Sequence, residues 1–312
     1  AFTGRKTDSR TAASNDHWES IRATFFMSKQ TPDFLPSLVG SMSQGAKGNP
    51  TVEMIEAAFC HHSLHYRYIN MEVTPDNLAD AVKGAHAMGF KGFNCSLPHK
   101  VSVIPHLDAL GESADIMGAV NCVVKRKNQF IGENTDGKGF LKSLQSVIEP
   151  EGKHVVILGA GGAARAIAVE LGLARAGKIT IVNRSPQRGH DLSQLLTNKL
   201  SISTDCISWD KTLDIPKDTD VLVNATSIGL YDGNAQIDIN LESLKDTTVV
   251  ADVIFSPPET WLIRKARHRG CQTLDGLGMI VNQGITSVEY WTGLRPDASV
   301  MRIAVEKALN LA

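Results

Sequence analysis

Residues 153–166 read KHVVILGAGGAARA. Lys153–Leu158 is an apolar strand, and Gly159, Gly161 and Gly162 follow it directly. An Ala/Leu-rich stretch then runs as a helix to about Ala176, and Lys178–Val182 (KITIV) forms a second strand. This order is a strand–helix–strand unit with a glycine turn at its first junction. Glycines at that junction allow a tight turn and a close backbone approach to a pyrophosphate. The N-terminus of the following helix favours the phosphate charge. The second strand leads into Asn183-Arg184-Ser185-Pro186-Gln187-Arg188. A site for NAD usually carries Asp or Glu here, to bind the ribose 2′-hydroxyl. A carboxylate would repel a 2′-phosphate, whereas guanidinium groups bind it in a bidentate way. The residues therefore predict NADP(H), held by Gly159, Ala160, Gly161, Gly162, Ala163, Asn183, Arg184, Ser185 and Arg188.

Working outward, further apolar runs at Asp220–Val223 and Thr248–Ile254 suit parallel strands buried on both faces. Helices are expected at Met279–Trp291 and Ala298–Leu311. Upstream, strands are expected at Leu38–Met42, Tyr66–Val73 and Phe93–Leu97, and a hairpin at Ala119–Val124 and Gln129–Glu133. Asn49 and Pro50 offer an N-cap and a first-turn proline to a helix over Thr51–His61. The fold class is α/β. An N-terminal substrate-binding domain is expected over residues 37–136, with residues 276–312 returning to it. A Rossmann domain is expected over 137–275. Residues 1–36 read as a flexible extension without the apolar core of a secretory signal.

The bulk numbers narrow the function. The chain has 312 residues, is 42% hydrophobic and 21% charged, and carries a formal net charge of −1. That balance gives no electrostatic case for nucleic acid or an anionic membrane. No apolar run is long enough to span a bilayer. Five scattered cysteines argue for a reducing compartment, hence the cytoplasm. A small-molecule substrate is expected, on a monomer or homodimer. Two glycine-rich or histidine-rich stretches are decoys. Gly40–Pro50, GSMSQGAKGNP, lacks the Gly-Lys-Ser/Thr ending of a phosphate loop. His61 and His65 have zinc spacing but no third ligand, so no metal is expected. Alternation along a strand sends Cys95 and Cys122 away from Ser96 and Asn121, into the core.

Hydride transfer to a carbonyl also needs a proton donor. Two motifs offer one: Asn94-Cys95-Ser96-Leu97-Pro98-His99-Lys100 and Asn134-Thr135-Asp136-Gly137. Taken alone, Lys100 reads as a surface lysine and Asp136 as a helix cap. With Gly118–Asn121 (GAVN), Gly159–Ala163, Asn183–Arg188, Asn224–Ser227 (NATS) and Asp275–Gln283, these motifs resemble, in order, those of the shikimate dehydrogenase family. The resemblance runs from about residue 37 to 312. It implies reversible reduction of 3-dehydroshikimate to shikimate, or a quinate or modified-shikimate variant of that reaction. It implies Lys100 and Asp136 as the catalytic pair. Asn121 and Gln283 would bind ring hydroxyls, and Ser96 would help hold the carboxylate. Thr226, Val253 and Gly276 would line the cofactor. A sensor without turnover is the rival from another class, and an intact Lys100–Asp136 pair speaks against it.

The chain departs from that family at the substrate carboxylate. Two hydroxyls, S-x-S, precede the proline of the first helix in the family, and Lys47 and Asn49 stand there instead. Phe255 replaces a tyrosine that also reaches the carboxylate end. Three explanations are open: Lys47 compensates with charge, the substrate differs, or backbone amides hold the carboxylate.

Overall fold

The computed structural model describes residues 34–311, so the expectation for the N-terminal extension falls almost wholly outside the described residues. Residues 37–312 form one compact unit built on two six-stranded sheets.

The first sheet is mixed, in the order β2-β1-β3-β5-β6-β4. Its strands are β1 (Ser37–Ser43), β2 (Tyr66–Glu72), β3 (Gly92–Cys95), β4 (Ala109–Leu110), β5 (Cys122–Arg126) and β6 (Gln129–Glu133). β1 pairs in parallel with β2 and β3, while β3/β5 and β5/β6 are antiparallel. The expected hairpin is therefore β5–β6. Helices α1 (Thr51–His61), α2 (Leu78–Ala87), α3 (His99–Ser102) and α4 (Glu112–Met117) belong to this half of the chain. The expected cap at Asn49 forms one residue earlier than a strict N-cap, its Oδ1 accepting the Thr51 N–H at 3.1 Å.

The second sheet is entirely parallel, in the order β14-β13-β11-β7-β8-β9. β7 is His154–Leu158, β8 Lys178–Asn183, β9 Ser203–Ser208, β11 Val221–Asn224, β13 Val249–Asp252 and β14 Thr273–Leu274. A minor pair, β10 (Leu213–Asp214) and β12 (Ile239–Asn240), sits outside it. Val155 and Ile157 enter one hydrophobic cluster while Val156 and Leu158 enter another. Period-two alternation into two cores is what burial on both faces requires, and it explains the unbroken apolar run. β9 (STDCIS) was not legible because it is a half-exposed edge strand with a polar pattern.

Helices α5 (Thr135–Leu144), α6 (Gly162–Leu173), α7 (Pro186–Leu200), α8 (Trp261–His268), α9 (Gly276–Thr292) and α10 (Ala298–Ala308) complete the fold. Leu277, Val281, Ile285, Val288 and Trp291 of α9, with Met301 and Val305 of α10, pack into the core containing Val39, Met54 and Tyr68. The last two helices thus return to the first sheet. α5 is pressed between α6 and α9. A Cβ on Gly137 would lie 2.3 Å from the Ala166 carbonyl oxygen, and one on Gly139 would lie 2.6 Å from the Gln283 nitrogen. Only glycine permits that approach, and it fixes the helix whose first turn carries Asp136.

Candidate active site

The order of the parallel sheet reverses at β7: β8 and β9 extend it one way, β11, β13 and β14 the other. Open α/β sheets bind ligands at such a switch point, outside the carboxyl ends of the strands. The turns after β7 and β11 flank that crevice. Its volume is about 200 Å³, and Gly159, Ala160, Gly161, Asn183, Arg184, Trp209 and Thr226 are among its lining residues. Gly159 has φ +109°, and a Cβ there would lie 3.0 Å from the Ala225 carbonyl oxygen. Gly161 and Gly162 meet nothing within 4 Å where a Cβ would stand, so the helix start is open to a ligand. Among the described residues, the N–H groups of Ala160 and Gly161 have no protein acceptor. Those of the first turn of α6, including Gly162 and Ala163, are unpaired as at any helix start. An anion is the natural partner for such a cluster of donors.

Arg184 and Arg188 are exposed, and neither has an ion pair among the described residues. Ser185 occupies the position before α7 without a side-chain capping bond, and its carbonyl accepts from Asn183 Nδ2 at 2.9 Å. Val253 and Gly276 lie elsewhere on the same sheet edge. The Val253 N–H reaches the Asn224 carbonyl at 3.0 Å, and the Gly276 N–H reaches that of Ile254 at 3.2 Å. Trp209 lines the crevice and was not anticipated; a single tryptophan after a polar edge strand carries no motif.

The reacting end is a chain of hydrogen bonds between the first sheet and α5. Lys100 projects from the one-turn helix α3, and its Nζ lies 2.6 Å from Asp136 Oδ2. Both side chains are half-buried, so the pair is partly shielded from solvent without being sealed from a ligand. Asn121 Nδ2 donates to Asp136 Oδ1 at 2.7 Å, and Asn121 Oδ1 accepts the Thr135 N–H at 2.6 Å. Thr135 Oγ1 lies 3.4 Å from Gln283 Oε1 and 3.3 Å from Ser287 Oγ. The cap of α5 is Asn134, whose Oδ1 accepts the Asp136 N–H at 3.1 Å. Asp136 is therefore released from capping and turned to Lys100. Asn134 and Thr135, which the sequence reading quoted in a motif without assigning them a role, and Ser287, which it did not name, are supporting residues. The signal was available in Ser287, one helical turn after Gln283.

The other expected substrate residues are not tied into that chain. Ser96 is exposed, and its hydroxyl has no protein partner among the described residues. Phe255 is half-buried against the core that holds Val281 and Ile285. Lys47 is exposed, with neither ion pair nor hydrogen bond among the described residues. The amide of Asn49 is consumed internally: Nδ2 donates to Ser41 Oγ at 3.1 Å and Asn70 Oδ1 at 3.3 Å, while Oδ1 serves Thr51. Among the described residues, most of the loop amides have acceptors too, that of Lys47 excepted. Glu72 accepts the N–H groups of Gly45 and Ala46, each at 2.8 Å. Gly48 and Asn49 donate to carbonyls of the same loop. A protein carboxylate, Glu72, thus already occupies two of the amides that could otherwise face a substrate carboxylate. Cys95 and Cys122 are buried, and burial pushes the Cys122 thiol up to about 12. Neither is a nucleophile.

Three family models match the chain: the shikimate dehydrogenase substrate-binding domain at residues 47–123, shikimate/quinate 5-dehydrogenase at 142–231, and the shikimate 5′-dehydrogenase C-terminal domain at 276–306. A curated shikimate dehydrogenase (NADP(+)) of Shouchella clausii is 38% identical over 260 residues, covering 82% of this chain and 93% of that protein. Among solved structures, ligand-free 5-ketofructose reductase of Gluconobacter sp. strain CHM43 is 53% identical with a TM-score of 0.87, covering 88% of this chain and 99% of that one. A shikimate dehydrogenase in complex with NADP+ is 34% identical with a TM-score of 0.81, covering 88% and 96%.

Proposed function

The chain belongs to the shikimate dehydrogenase family, and from that membership and the site's geometry we propose an NADP(H)-dependent interconversion of a ketone and a secondary alcohol on a polyhydroxylated substrate. The open turn Gly159–Ala163 suits the pyrophosphate, and Arg184 and Arg188, with Asn183 and Ser185, suit the 2′-phosphate. Thr226, Val253 and Gly276 would border the nicotinamide end. Bound NADPH supplies the hydride. Lys100 donates a proton to the carbonyl oxygen as it becomes an alkoxide, and accepts one in the reverse direction. Asp136 holds the ammonium in place at 2.6 Å and remains available to a substrate hydroxyl. Asn121 and Gln283 bind neighbouring hydroxyls. Replacing Lys100 with Met is expected to lower kcat by roughly a thousandfold with little change in NADPH binding.

One observation carries the choice of substrate: the end where the family grips a carboxylate carries Lys47 and Asn49 in place of the two hydroxyls and holds its own carboxylate, Glu72, on two loop amides. A substrate anion placed there would face like charge. We therefore propose a neutral polyhydroxy ketone of the 5-ketofructose type, the substrate in the name of the 53% identical relative. The unpaired, exposed Lys47 supports a second reading, in which it supplies a charge-assisted contact and the substrate is 3-dehydroshikimate. Initial rates of NADPH and NADH oxidation with both ketones, and of the reverse reaction with shikimate and quinate, decide between them. A roughly hundredfold higher kcat/KM for the ketose is expected, since unpaired polar groups discriminate strongly. A preference for 3-dehydroshikimate overturns that substrate. Thermal stabilisation by these compounds with no turnover favours a sensor.

No helix among the described residues is long and apolar enough to cross a membrane. The five cysteines are all free thiols, which supports a reducing compartment and, we propose, the cytoplasm.

A further inference from the structure

Asp252 ends β13 and is 2% exposed. Three donors converge on its carboxylate. Oδ1 accepts Asn224 Nδ2 at 2.9 Å and the Ile254 N–H at 3.0 Å, and Oδ2 accepts Thr260 Oγ1 at 2.7 Å. Asn224 passes the connection on. Its Oδ1 accepts the N–H and the hydroxyl of Thr226 at 3.1 and 2.7 Å, and its Nδ2 also reaches the Ile228 carbonyl at 3.2 Å. Thr226 and Ile228 line the crevice. On the other side, the Ile254 carbonyl accepts the N–H of Gly276, the first residue of α9. One carboxylate thus ties together the turn after β11, the exit of β13 and the start of α9.

We infer that Asp252 is a positioning residue for the reactive end of the cofactor, its negative charge locking Thr226, Val253 and Gly276 into one arrangement. The inference rests on the NADP(H) reading above. Charge matters because a carboxylate accepts all three contacts in their present directions: Asn224 Nδ2 and the Ile254 N–H can only donate, and the Thr260 hydroxyl donates here. A carboxylate accepts them all, whereas a protonated carboxyl or an amide must turn a donor of its own toward one of them. Among the described residues, no cation offsets the charge. From β11 the facing group is Asn224; from its own strand end, the Ile254 N–H; from the N-terminus of α8, Thr260. The charged side chains close to Thr260 in sequence are engaged elsewhere: Glu259 pairs with Arg267, and Arg264 bonds Asn234. Burial accordingly pushes the Asp252 carboxyl up to about 6, against the pull of the three hydrogen bonds. A carboxyl whose folded value exceeds its unfolded one near 4 binds its proton more tightly in the native state. Its stability contribution is therefore present at low pH and is lost as pH rises from about 4 to 6. At neutral pH the ionised group costs stability while its three hydrogen bonds organise the crevice wall.

The test is cofactor affinity against pH, by quenching of protein fluorescence, for the intact protein and its variants. NADH is run beside NADPH because a 2′-phosphate itself titrates at about 6. The wild type should bind NADH progressively more weakly as pH falls from 7.5 to 5, through about 6. Asp252→Asn should bind both cofactors roughly tenfold more weakly at neutral pH, with a flat NADH profile. Thr260→Val keeps the carboxylate but removes one donor, so its midpoint should move up, and Thr260→Ser should restore it. Wild-type affinity and an unchanged profile in Asp252→Asn would overturn the inference. So would a lowered Tm in that variant with the pH profile intact. If the wild type binds neither cofactor, the NADP(H) reading itself fails.

Discussion

Two glycine-bearing turns, Gly159–Gly162 and Gly45–Gly48, each carry the chain from the carboxyl end of a strand toward a helix, yet they treat negative charge in opposite ways. The first leads into α6, a helix of 12 residues, and leaves its backbone donors free at a switch point of the sheet. The second has three of its four donors, those of Gly45, Ala46 and Gly48, spent on Glu72 and on its own carbonyl before any ligand arrives. Glycine content therefore does not make an anion site. Unsatisfied N–H groups aimed at a cavity do, and their availability depends on what else is packed against the turn.

The comparison can be broken most severely at Gly159. Replacing it with Val imposes a β-branched side chain at φ +109° and against the Ala225 carbonyl. Binding of both cofactors is expected to fall by at least roughly a hundredfold, read by fluorescence titration, because the strain and clash together exceed a few kcal/mol. A smaller and more selective loss is expected at the far side of the same crevice. In the double variant Arg184→Ala/Arg188→Ala, KM for NADPH should rise by roughly tenfold to a hundredfold while KM for NADH stays within about twofold. Equal losses with both cofactors would show that the arginines do not read the 2′-phosphate.

The smallest effects belong to the second turn. Glu72→Gln removes the internal anion but keeps an oxygen for one of the two N–H groups. It should improve kcat/KM for 3-dehydroshikimate relative to 5-ketofructose by roughly fivefold, in line with removal of one like charge near a partly exposed site. Lys47→Ala should change KM for the ketose by less than about twofold, as for any solvated lysine. A large rise in KM confined to the carboxylate substrate would instead restore Lys47 to the site and favour 3-dehydroshikimate.

What could be read in advance divides along the same line. Lys100, Asp136, Asn121 and Gln283 were legible because each stands inside a short motif, and the structure joins them by hydrogen bonds. The strand Lys153–Leu158 was legible because burial on both faces leaves an unbroken apolar run. Asp252 was not, since its partners Asn224 and Thr260 come from another strand and from the loop beyond. Asn49 was readable as a helix cap, but its ties to Ser41 and Asn70 were not, because they cross from loop to sheet.

The sequence by itself determined the cofactor crevice: a strand, three glycines and a following helix generate open donors from the local backbone alone. It also pointed, through two short motifs and the family resemblance they carry, to Lys100 and Asp136 as the proposed catalytic pair. Only the tertiary structure decided the state of the Gly45–Gly48 turn. Parallel pairing of β1 with β2 sets Ser43 opposite Glu72, and that register brings the carboxylate to the loop amides. A shift of one residue would turn Glu72 to the other face of the sheet. Long-range register, which no local pattern encodes, thus decides whether that end of the pocket meets a substrate with open donors or with a charge of its own.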